Sequence, residues 1–138
     1  MKYFLLLIIN LLMARIPDAV GTHGMVVSSH ELASKVGIEI LKDGGNAIDA
    51  AIATGFALAV VHPGAGNIGG GGFMVIRLAN GTVTTIDFRE VAPSGAYRDM
   101  FLDDSLNVIE GKSWNTSWAA GVPGSVAGLV WPMRNTAA

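Results

Sequence analysis

The chain has 138 residues, of which 51% are hydrophobic and 14% charged, with a formal charge of −2. That length suits one domain of about 100 to 200 residues, while ordinary soluble domains carry roughly 25% charged residues, so the polar skin is thin. A near-neutral chain without a basic run excludes a nucleic-acid surface, and the complete lack of Cys excludes a disulfide framework, a thiolate metal site and a Cys nucleophile.

Lys2 precedes the apolar run Phe4-Leu-Leu-Leu-Ile-Ile-Asn-Leu-Leu-Met13, the layout of a secretory signal peptide. A helix of about ten residues spans about 15 Å, half the hydrocarbon core, and makes a poor membrane anchor. Residues 1–19 are therefore expected to be a signal peptide, cut after Ala14 or Ala19, with export to the periplasm or the extracellular space and no membrane span after cleavage. The bland alternative is an apolar N-terminal element belonging to the fold.

Ser28 stands three residues before Glu31, the capping-box spacing, and predicts a helix start there. Leu32, Val36 and Ile40 then recur one turn apart, predicting a buried face, and Gly44-Gly45 supplies the positive φ that ends the helix. Asn46 can cap a second helix over 47–61. It is apolar nearly all round, which predicts a central helix buried on every side.

Gly72 to Ala79 and Thr82 to Phe88 are β-rich runs with Asn80-Gly81 between them, a strong hairpin signal. Beyond lie Arg89-Glu90, an irregular stretch with Pro93, an acidic segment from Asp99 to Asp104, and Gly121-Val-Pro-Gly124 opening a small-residue helix toward Trp131. Pro132 is expected to break that helix. The order helix, helix, hairpin predicts an α+β arrangement with helices stacked on an antiparallel sheet.

Several motifs are decoys. Gly64-Ala-Gly-Asn-Ile-Gly69 satisfies G-x-G-x-x-G, but a dinucleotide site needs a strand before the loop and a helix after it, and here the order is reversed. Asp103, Ser105 and Asn107 alternate like a calcium loop, yet Val108 takes the required Gly position and Trp114 the required Glu position, leaving a solvated turn. His23, His30 and His62 lack metal-ligand spacing and suit surface or capping roles. No metal and no cofactor is expected. Arg89 in Asp87-Phe88-Arg89-Glu90 has two readings on spacing alone. It is either a structural ion pair with Glu90 or Asp87, or a guanidinium fork at a strand end, suited to bidentate capture of a carboxylate.

Asp43-Gly44-Gly45-Asn46-Ala47-Ile48-Asp49-Ala50-Ala51, His62-Pro63, Gly66-Asn67-Ile68-Gly69-Gly70-Gly71-Gly72-Phe73-Met74, Asp87-Phe88-Arg89-Glu90-Val91-Ala92-Pro93 and Val122-Pro123-Gly124 resemble, in that order, the γ-glutamyltransferases, also called glutathione hydrolases. The resemblance implies part of an αββα N-terminal-nucleophile hydrolase sandwich, incomplete here. It also implies a precursor that cuts itself into a large and a small subunit, the new N-terminal Thr of the small subunit attacking the γ-glutamyl amide of glutathione or a similar compound. Arg89 aligns with the arginine that holds the glutamyl α-carboxylate and becomes the one candidate substrate-binding residue.

No catalytic residue transfers. Thr84-Thr85 does not match the family's cleavage-site pair, and the glycine run 69–72 looks structural. Residues 20–138 are expected to be a truncated N-terminal portion of the large subunit, with an atypical tail from 131, its apolar excess shaped to be covered by partner layers that are missing. The fragment alone is expected to be inactive. The alternatives are a non-catalytic remnant that binds a small subunit in trans, or a fragment of a related acylase of the same fold.

Overall fold

The computed structural model describes residues 19–135, so the expected signal peptide falls almost wholly outside the described residues. Helix α1 spans Glu31–Lys42, α2 Ala47–Val61 and α3 Ser125–Asn135. Strands β1, Phe73–Arg77, and β2, Val83–Asp87, pair antiparallel between α2 and α3 in the chain, and a 3-10 turn lies at Ser117–Ala119. The arrangement is α+β, as the order of elements predicts.

Helix α1 begins two residues after the position that the capping-box spacing marks. His30 is the N-cap, its Nδ1 accepting from the Leu32 N–H at 3.2 Å. The Ser28 hydroxyl is engaged with the His30 carbonyl and the Ser34 hydroxyl, both at 2.8 Å, so it cannot reach the helix's free amides and the Ser28/Glu31 box does not form. The buried positions are Ala33 and Gly37, one residue out of register with the expected face; Leu32 and Val36 remain 52% and 40% exposed. The contact with α2 selects the smallest side chains because it is close. A Cβ on Gly37 would collide with the Thr54 hydroxyl of α2 and lie 2.8 Å from Val26.

Gly44, at φ +92°, ends α1, and the Gly45 N–H returns to the Ile40 carbonyl at 2.9 Å. The second helix starts where expected, with a complete capping box: Asn46 Oδ1 accepts from Ile48 and Asp49 N–H, and Asp49 Oδ2 accepts from Asn46 N–H. Its burial is one-sided rather than complete. Ala50, Ile52 and Thr54 are buried, while Ala51 and Val60 are exposed among the described residues, because α1 and α3 cover only part of its surface.

The hairpin turns one residue earlier than a two-residue Asn-Gly loop would. Gly81 N–H donates to the Leu78 carbonyl at 2.9 Å and Leu78 N–H to the Thr82 carbonyl at 2.8 Å, so Ala79, Asn80 and Gly81 form a three-residue loop. Gly81 takes the left-handed position at φ +88°. Met74, Ile76, Thr84 and Ile86 face inward, with Ile76 buried. Phe73, Val75 and Val83 stand 66%, 73% and 59% exposed on the other face.

Helix α3 runs through Pro132 instead of stopping at it. A helical proline loses one hydrogen bond and presses on the carbonyl four residues back, which costs about 3 kcal/mol. Here the ring is wholly buried, and apolar burial acts against that loss. Replacing Gly37 by Ala should force α1 away from α2 and lower stability by about 1–3 kcal/mol in a urea titration. An unchanged midpoint would show that the two helices do not meet at this position.

Candidate functional site

The sheet's hydrogen-bond alternation decides which side chains Arg89 meets. Phe88 N–H donates to the Gly72 carbonyl at 2.9 Å and Leu78 N–H to that of Thr82, which makes the even-numbered residues of both strands the hydrogen-bonded pairs. Phe73↔Asp87, Val75↔Thr85 and Arg77↔Val83 are then the non-hydrogen-bonded pairs, whose side chains approach most closely. They lie on the exposed face. Arg89, two residues past Asp87, continues the same row beyond the end of β2.

Three groups hold Arg89. Its backbone N–H donates to Asp87 Oδ1 at 3.0 Å, its Nε donates to Glu90 Oε2 at 3.0 Å, and its guanidinium carbon sits 5.8 Å from the centroid of the Phe73 ring. The side chain is 60% exposed, and neither terminal nitrogen makes a hydrogen bond among the described residues. The structural ion pair with Glu90 is thus present, and it occupies only the Nε side of the guanidinium.

Behind this row the backbone is packed too tightly for side chains. A Cβ on Gly71 would lie 2.5 Å from the Phe88 carbonyl oxygen and 2.7 Å from Arg89 Cα, while one on Gly124 would strike that same oxygen and one on Gly128 the Phe88 ring. The Gly70 carbonyl accepts from Gly124 N–H at 2.9 Å and Ser125 N–H at 3.0 Å. Val91 and Val122 exchange hydrogen bonds of 3.2 and 2.8 Å. The glycine run, the strand end and the start of α3 are thus one unit that fixes where Arg89 leaves the sheet.

The Glu90 carboxyl is held below its ordinary value, first by its own backbone N–H, then by the Arg89 side chain, with the Gly71 N–H adding to both. A lowered folded value means that the stabilisation is present above the ordinary carboxylate pKa and is lost as pH falls through the folded one. A carboxyl-carbon NMR titration should give Glu90 a midpoint below that of an unperturbed glutamate. In Arg89→Ala the midpoint should move up without reaching the unperturbed value, since the amides remain; identical midpoints in the two proteins would remove the ion pair.

The decoys resolve into local structure. Gly64 to Gly69 joins a helix to a strand, with Ala65 and Gly66 N–H donating to the His62 carbonyl at 3.1 and 2.8 Å. Asp103 Oδ1 accepts from Ser105 and Asn107 N–H at 2.8 and 2.9 Å, closing a turn in which Leu106 adopts φ 65°. Those amides, that of Asn107 foremost, hold the Asp103 carboxyl below its usual range. His30 and His62 cap α1 and α2, and His23 lies beside Thr22. Among the described residues no group of three His, Asp or Glu could hold a metal, and no helix is long and apolar enough to cross a membrane. Thr84 and Thr85 lie within β2.

Sequence reasoning isolated Arg89 but not Phe73. The signal was present in the two-residue period of the strands, yet it needed the turn length. A loop one residue shorter would have set Phe73 opposite Phe88 instead of Asp87.

The sequence pattern of the family described as Gamma-glutamyltranspeptidase matches residues 33–135, a span that runs on past Val130 into the last turn of α3. The glutathione hydrolase proenzyme of Pseudomonas sp. (strain A14) is 61% identical over 107 residues, covering 78% of this chain and 19% of that protein. The crystal structure of Helicobacter pylori γ-glutamyltranspeptidase superimposes with a TM-score of 0.81 at 55% identity, covering 86% of this chain and 34% of that one. The enzyme from Pseudomonas nitroreducens, complexed with L-DON, gives a TM-score of 0.78 at 46% identity, covering 84% and 34%. The fold is thus a portion of the N-terminal-nucleophile hydrolase architecture. The chain belongs to the γ-glutamyltranspeptidase family, and it spans about a fifth of the length of the curated relatives it matches.

Proposed function

We propose that this chain supplies the carboxylate grip of an enzyme that cleaves γ-glutamyl amides such as glutathione and passes the γ-glutamyl group to water or to an amino acid. The observation that carries the reading is the Arg89 guanidinium at the open end of the hairpin, fixed through Nε while its terminal nitrogens keep their donors. Two parallel N–H donors match the two oxygens of an α-carboxylate, and such a fork sets direction as well as affinity. The attacking hydroxyl comes, in this reading, from the N-terminal Thr of a small subunit of the same precursor. Lys2 and the apolar run 4–13 support export, so the reaction would meet substrate in the periplasm or outside the cell.

Two measurements test this. The purified chain should not release p-nitroaniline from γ-glutamyl-p-nitroanilide alone and should do so when mixed with a separately expressed small subunit. Turnover by the chain alone would overturn the division of labour, and none on mixing would leave a non-catalytic remnant. The matching Arg89→Lys change in a complete family member should raise KM by about tenfold to a hundredfold, the worth of one charged hydrogen bond, and change kcat less. An unaltered KM removes the assignment.

A further inference from the structure

Among the described residues Phe73 is not part of the core. It stands 66% exposed on the open face of the hairpin, in the non-hydrogen-bonded pair with Asp87, where cross-strand side chains are nearest. Asp87 in turn takes the Arg89 backbone N–H at 3.0 Å, which brings Arg89 alongside the Phe73 ring at 5.8 Å, within cation–π range. Glu90 fixes only one edge of the guanidinium, at Nε; with a single hydrogen bond the plane could still rotate about it. The attraction of the ring for the cation is a second, independent restraint on that rotation.

We propose that Phe73 is a positioning residue for carboxylate recognition: its ring sets the plane of the Arg89 guanidinium so that the two terminal nitrogens present one bidentate edge. The inference rests on the carboxylate-grip reading of Arg89. It makes the choice of an aromatic side chain at position 73 part of substrate selection, although that side chain makes no polar contact with substrate.

The test uses two anilides that differ only in the α-carboxylate, γ-glutamyl- and 4-aminobutyryl-p-nitroanilide, with the matching variants in a complete family member. Phe73→Leu should raise KM for the γ-glutamyl substrate about two- to fivefold, the scale of an exposed cation–π contact, with kcat unchanged and KM for the 4-aminobutyryl substrate unmoved. Phe73→Tyr, which keeps the ring, should behave as wild type. In an Arg89→Ala background Phe73→Leu should add nothing.

Equal effects of Phe73→Leu on the two substrates, or failure of Phe73→Tyr to restore KM, would show a merely structural role and overturn the proposal. If Arg89→Ala itself fails to discriminate between the anilides, the carboxylate reading falls, and the proposal with it. If Arg89→Ala discriminates and Phe73→Leu does not, only the proposal falls. In the 138-residue chain, Phe73→Leu should also shift the Arg89 Nε–H proton resonance by removing the ring current, and an unmoved resonance would contradict the contact.

Discussion

The position of Phe88 depends on side chains that are missing from its neighbours. Its ring fills space left open by Gly72 and Gly128, and its carbonyl lies where a Cβ on Gly71 or Gly124 would be. At Gly71 and Gly124 the obstructing atoms are all backbone, so packing there cannot relax by side-chain rotation. The glycine run before β1 and the glycines opening α3 therefore lock one point, the end of β2, and the residue that follows that point is Arg89. A guanidinium on an ordinary loop would lose part of any gain from binding to the entropy of ordering the loop. Here the backbone is ordered beforehand.

The same economy of side chains governs the helices. Helix α1 meets α2 through Ala33 and Gly37, and α2 meets α3 at Gly55, where a Cβ would lie 3.2 Å from Leu129. Small residues let helix axes approach closely, and the larger apolar residues are then displaced to flanking positions. Leu32, Val36 and Val60 are exposed among the described residues, as are Phe73, Val75 and Val83 on the sheet. The low charged share of the sequence has this structural counterpart, a surface with broad apolar areas.

Legibility in the sequence tracked the range of the forces involved. Asn46, Asp49 and Gly44 act within four residues of themselves, and their caps were readable. Ser28 looked equally local, but a competing bond to Ser34 diverted it, and nothing in the spacing ranks the two. The buried face of α1 failed by one residue because amphipathicity locates large apolar side chains, whereas this interface is made of small ones. Pro132 failed because helix-breaking is a local cost and wholesale burial of the ring is a tertiary gain. The Arg89–Glu90 pair was legible from adjacency. The neighbour Phe73 was not, since cross-strand neighbours are fixed by register, and register here turned on whether the loop held two residues or three.

The hairpin loop has a chemical consequence as well as a geometric one. An Asn-Gly step ages by attack of the glycine amide nitrogen on the asparagine side-chain carbonyl carbon, expelling ammonia and closing a succinimide that water reopens mostly to isoaspartate, and glycine offers no bulk to shield its nitrogen. In this turn the Gly81 N–H is committed to Leu78 at 2.9 Å, and the Asn80 amide oxygen accepts from Thr82 at 2.9 Å. Ring closure must wait until the Gly81 N–H is released. Any isoaspartate formed at position 80 would therefore report how often the tip of the hairpin comes undone.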